Sequence, residues 1–182
     1  MLKKILIGVG ALLVVLTAAF FYLNYRNRTM SPPGSASLTN DDLSVSITYS
    51  RPSVRGRLIF GTKEQGALQP YGQYWRLGAN EATEITFNKD VNFNGSQVKA
   101  GTYWIYAIPQ EGGFEIILNT ELPPWGAFEP DHSFDLLKTR VPVEKTASSV
   151  EQFTISLLPI ERGVSVIFEW SDVRWSVPVT TL

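Results

Sequence analysis

The 182 residues contain no cysteine. That excludes disulfides, a thiolate metal site, a cysteine nucleophile and the lipid-bearing cysteine of a lipobox. Histidine occurs once, at His132. Zinc normally takes several His or Cys ligands, and one imidazole with neighbouring acids falls short. Asp131 and Asp135 flank it without calcium-loop spacing. The chain has no Walker loop, no dinucleotide fingerprint after a strand and no Gly-x-Ser-x-Gly elbow. The sequence therefore calls for no cofactor and no metal. His132, within the polar run Glu129–Ser133, reads as an exposed loop residue.

Basic charge is scarce beyond the amino terminus. The first 28 residues hold four Lys/Arg and no acid, which leaves 12 basic and 17 acidic side chains, a net charge of −5, for the remainder. Nucleic-acid binders need a clustered basic footprint. The nearest thing to one, Arg51, Arg55 and Arg57, is too short, so no nucleic-acid partner is expected.

What the amino terminus does contain is Ile5 to Leu23, nineteen residues without a charge. As a helix this run is about 28 Å long, close to the hydrocarbon thickness of a bilayer. A core helix of that length would carry a polar stripe, and none is present. A cleaved signal peptide is the competing reading, with Thr17-Ala18-Ala19 as the cut. Phe20–Leu23 extends the apolar run past that point, which favours a retained single-pass anchor. Tyr22 and Tyr25 suit the interface, with Arg26 and Arg28 beyond it. Lys3, Lys4 and the terminal amine bias the amino end inward, leaving the domain outside the cytoplasm, periplasmic or at the cell surface. Residues 1–26 are read as the anchor, 27–40 as a Pro/Ser/Gly linker around Ser31–Ser35, and 41–182 as the domain.

From Leu43 the period is two. Leu43, Val45, Ile47 and Tyr49 alternate with polar residues, which makes a half-buried strand. Further strands are expected at 57–61, 83–88, 91–93, 101–108, 114–119, 136–143, 151–158, 163–170 and 174–179. Asn94-Gly95 marks a tight hairpin and explains the sequon there better than glycosylation does. Turns at 159–163 and 171–172 would make the last three strands a meander. The fold class is all-β, an antiparallel two-sheet β-sandwich, with a partly closed β-barrel as the alternative.

The densest run of unusual residues is Trp75–Thr83, which enters the strand Thr83–Phe87. Gly78 and Asn80 shape a turn, and Arg76 and Glu81 stand ready to pair across it. Locking the turn is one role for Arg51, Arg76, Asn80 and Glu81; flooring a polar binding site is the other. Glu81 and Glu84 also form a carboxylate pair, whose separation in space decides any glycosidic chemistry. In Thr102–Tyr106, alternation sends Tyr103 to one face and Trp104 and Tyr106 to the other. One of these aromatic faces must be exposed or covered by a loop, and Leu122–Phe128, with Trp125 as its plug, is the candidate cover. Trp75, Tyr103 and Trp125 are the candidate aromatic contacts for a partner.

The ordered motifs Tyr49–Arg57, Ile59-Phe60-Gly61, Pro70-Tyr71-Gly72, Trp75–Thr83, Ala100–Tyr103, Ile108-Pro109 and Trp125-Gly126 together resemble the bacterial domain-of-unknown-function family DUF2911. The resemblance covers roughly residues 43–180. It implies a bacterial, usually exported β domain, common in Bacteroidetes-type bacteria, and brings no catalytic residues with it. The leading expectation is a membrane-anchored interaction module for a glycan, a peptide or an envelope protein. A cofactor-independent hydrolase built on Arg76, Asn80 and Glu81 is the alternative.

Overall fold

The computed structural model describes residues 2–121, 126 and 128–182. A single helix, α1 (Leu2–Met30), leads the chain, and none of its residues is buried. Its length and mean hydropathy of 2.5 suffice to cross a membrane, as an anchor or a signal sequence would. Twelve strands follow among the described residues. They are β1 (Pro33–Asn40), β2 (Leu43–Ser50), β3 (Phe60–Gly61), β4 (Gln69–Pro70), β5 (Glu84–Phe87) and β6 (Val91–Phe93), then β7 (Ser96–Val98), β8 (Gly101–Gln110), β9 (Gly113–Asn119), β10 (Asp135–Pro142), β11 (Glu144–Ile160) and β12 (Gly163–Thr181).

Alternation in the sequence becomes two faces in space. One sheet runs β1-β2-β5-β8-β9-β10 and the other β11-β12-β6-β7, with β3 and β4 a small parallel pair beside them. The main pairings within both large sheets are antiparallel. Leu43, Val45 and Ile47 from the first sheet meet Val164, Val166 and Phe168 from the second in one core. The architecture is the expected two-sheet sandwich, and both large sheets keep open edges, so the barrel alternative is set aside. Trp75, Phe60, Phe114, Phe153, Trp170 and Trp175 form an aromatic knot at its centre, with Trp75 stacked on Trp170 at 5.5 Å.

Two expectations need correction. Residues 27–40 are not a flexible linker: the helix continues to Met30, and Pro33–Asn40 pairs with β2 along its whole length. Pro is tolerated at the first residue of an edge strand, and the Ser-rich composition hides an alternation whose core-packed member is Leu38. Asn40 fixes the far end by donating to the carbonyls of Ile160 (2.9 Å) and Gly163 (2.7 Å). The second correction is at 171–172, which is no turn. β12 runs through it, with Ser171 at φ +57° and the register against β11 slipping there. An extra residue in one strand restores the same inward face after the break. Val164 to Trp170 bury their even positions, and Trp175, Val177 and Val179 bury the odd ones.

Candidate functional site

The loop from Trp75 to Thr83 is anchored from below. Trp75 is 2% exposed and donates its indole N–H to the carbonyl of Gly78 at 3.2 Å. Thr83, fully buried, donates its hydroxyl to the carbonyl of Leu77 at 2.8 Å. These bonds hold Leu77 at φ +51° and Asn80 at φ +58°. A leucine in that region costs about 1–3 kcal/mol and persists only where its surroundings dictate it. Gly78 is required by space: a Cβ there would stand 2.8 Å from the carbonyl oxygen of Ser50.

Above this floor the loop receives the end of α1. The Asn80 amide donates to the carbonyls of Asn27 and Ser31, each at 3.4 Å. Arg55 donates to the carbonyl of Met30 at 3.0 Å, and the Arg51 backbone N–H to that of Pro32 at 2.8 Å. A helix ends with carbonyls that lack intrahelical partners and with a partial negative charge, so amide and guanidinium donors belong there. Arg28 closes the joint with an ion pair to Glu81 at 2.7 Å, and Ser50 donates its hydroxyl to the other Glu81 oxygen at 3.1 Å.

The expected Arg76–Glu81 pair is therefore not formed. Glu81 faces β2 and the helix end, whereas Arg76 turns toward the loop at Gly126 and donates only to the carbonyl of Asn80, at 3.4 Å, among the described residues. Its burial lowers the guanidinium pKa from the ordinary value. Arg51 lies apart, its stem crossing Gly34 and its guanidinium donating to Phe153 O and Thr154 Oγ1. Of the aromatic candidates, Trp75 sits in the core. Tyr103 is 8% exposed, with its hydroxyl donating to Lys99 O. Trp125 lies outside the described residues.

Two concavities adjoin the joint. An open groove of about 600 Å³ is lined by Pro33–Ser35, Thr48–Ser50, Glu81 and Glu84. A narrower cleft of about 310 Å³ lies under the helix end, with Arg55, Arg57, Arg76 and Asn80 in its walls. No cluster of metal-ligating side chains is found among the described residues.

A second polar cluster occupies the outer face of the larger sheet. Trp104 and Tyr106 are covered there, at 1% and 0% exposure, in a small core with Ala82 and Ile117. The Tyr106 hydroxyl donates to Asp135 Oδ1 at 2.7 Å and meets His132 Nδ1 at 2.9 Å. Asn119 donates to the same Asp135 oxygen and to the carbonyl of Asp131. His132 also contacts Asp135 Oδ2 and Glu129. Burial, then the bond to Asp135, pushes the Tyr106 phenol far above its ordinary pKa. His132 is half-exposed, as read, but it opens a short 3-10 turn (His132–Phe134), not a loop, and its ring is tethered to Asp135. Sequence reasoning missed this network because Tyr106, Asn119 and Asp135 come from three strands. It also missed Arg28 and Ser50 as the partners of Glu81.

The molecule is thus an antiparallel β-sandwich led by one apolar helix of membrane-spanning length, with a polar joint between the two. The chain belongs to the family described as Protein of unknown function (DUF2911), whose model matches residues 31–179. The match begins at the end of α1 and takes in β1. No curated protein and no solved structure matches the chain.

Proposed function

We propose that the protein is a membrane-anchored interaction module whose sandwich works at the bilayer surface outside the cytoplasm, binding a glycan, a peptide or another envelope protein. The uncharged run Ile5–Leu23, which continues past the Thr17-Ala18-Ala19 cut, carries this reading. The capture of the helix end by Asn80, Arg55 and Glu81 gives a retained anchor a fixed orientation. Lys3 and Lys4 on the short side of the helix support an exported domain. The open groove presents Glu84 to a partner beside Glu81, which Arg28 and Ser50 hold.

A hydrolase on Arg76, Asn80 and Glu81 finds less support. Those three side chains point to different partners, and general acid–base work needs groups that converge on one reacting bond. The test is fractionation with protease accessibility in intact and opened cells. The full chain should stay with membranes through carbonate washing, and its domain should be cut only from outside. A soluble mature protein beginning near Phe20 would overturn the reading.

A further inference from the structure

The sequence discounted Arg51, Arg55 and Arg57 as a basic patch. The fold regroups them, removing Arg51 to the edge of the sandwich and bringing Arg76 to Arg55 and Arg57 around one cleft. None of these three guanidinium groups joins an ion pair among the described residues, although Arg28, Arg140 and Arg174 all do. The residues outside the description carry no acidic side chain. The nearby carboxylates are engaged elsewhere: Glu81 holds Arg28, and Glu151 accepts the Arg55 backbone N–H at 3.0 Å.

Donors remain to be filled. Among the described residues Arg57 donates to Val54 O and Ser53 O, Arg55 to Met30 O and Arg76 to Asn80 O, and these bonds leave further N–H groups on each guanidinium. Among the described residues these three cations face no carboxylate, in a chain whose domain is net negative, which leaves them open to a shared anion. Planar guanidinium forks match phosphate oxygens in pairs.

Position adds a source. Met30 lines the cleft and lies seven residues beyond Leu23, about 10 Å along a helix. The headgroup layer is about 5–7 Å thick on each side of the hydrocarbon. With Leu23 at the hydrocarbon edge, the cleft therefore opens a few ångströms beyond the headgroup layer, within reach of its phosphates. We infer that the Arg55–Arg57–Arg76 cleft is a phosphate site, filled by a phospholipid headgroup or by a soluble phosphate. The lipid source rests on the anchored reading above; the soluble source does not.

The test uses the full chain in dodecyl maltoside, a phosphate-free micelle. Inorganic phosphate and a short-chain phosphatidylglycerol are titrated separately and followed by calorimetry. Saturable binding of either is expected, weakened at least tenfold in Arg76→Gln and in Arg55→Gln. Arg55 is exposed and its one side-chain bond is to Met30, so that variant keeps the fold, as circular dichroism will verify. Binding of phosphate alone assigns a soluble ligand, and binding of the lipid alone assigns a headgroup. Binding of neither, or equal binding by both variants, overturns the site. Carbonate extraction of the same variants is read in parallel. A chain that stays in the membrane but binds no phosphate defeats this inference alone, whereas a chain that leaves the membrane defeats the anchored reading.

Discussion

Two polar clusters sit on this sandwich, and they differ in how completely they are satisfied. On the outer face, Tyr106, Asn119, His132 and Asp135 spend their hydrogen bonds on one another. At the helix end, Glu81 and Asn80 are spent, but Arg55, Arg57 and Arg76 are not. A closed network in a buried setting specifies structure, because each member would be costly to leave alone. Cations held together without carboxylates look outward. The contrast separates scaffold from site without appeal to any reaction.

The contrast breaks most violently through the floor shared by the joint and the core. Trp75→Ala should cost about 3–5 kcal/mol in denaturant unfolding, as for other buried aromatics, and should release the helix end as well. A loss under about 1 kcal/mol would mean that the loop does not rest on Trp75.

The closed cluster comes next. Tyr106→Phe leaves Asp135 and His132 short of a partner and should cost about 1–3 kcal/mol, with phosphate binding unchanged. The raised Tyr106 pKa carries a sign. The contribution of the neutral phenol is fully present below the ordinary tyrosine pKa of about 10 and is lost as pH rises toward the folded value. The wild type should lose stability above about pH 10, and Tyr106→Phe should make that limb shallower, the buried phenols of Tyr74 and Tyr103 supplying the rest. Identical alkaline profiles would remove the phenol from the account.

Smaller effects separate the two charges of the central motif. Arg76→Ala should cost only about 0.5–1.5 kcal/mol, the worth of one hydrogen bond, while abolishing phosphate binding. A cost of about 3–5 kcal/mol would instead reveal a broken buried ion pair. Smallest of all, a double-mutant cycle should find about 0.2–1 kcal/mol of coupling between Arg28 and Glu81, and none between Arg76 and Glu81. Coupling in the second pair would reverse the geometry described.

Much of the fold was legible because alternation is a direct record of a half-buried strand. Leu43 to Tyr49 is the plain case, whereas Tyr103 to Ala107 is buried on both faces, as the aromatic residues on both sides of that strand foreshadowed. Alternation failed where apolar content was low, as in β1, and where a bulge mimicked a turn, as at Ser171. The site was less legible. Gly78 and Asn80 did announce a turn, but nothing local says on which side of a turn Arg76 and Glu81 emerge. The partner of Glu81, Arg28, lies 53 residues away in α1, and that distance leaves no trace in spacing.

Above all, helix α1 and the sandwich are held together by this joint. A flexible stretch of residues 27–40 would let its ends wander over about 20 Å. The chain has no cysteine, so a spin-label pair can be placed at Tyr25→Cys and Asp172→Cys without background. Pulsed electron resonance on the full chain in nanodiscs should give one narrow distance distribution, broadened by Asn80→Ala combined with Glu81→Ala. A distribution already broad in the otherwise unaltered chain would contradict the docked joint and restore the linker.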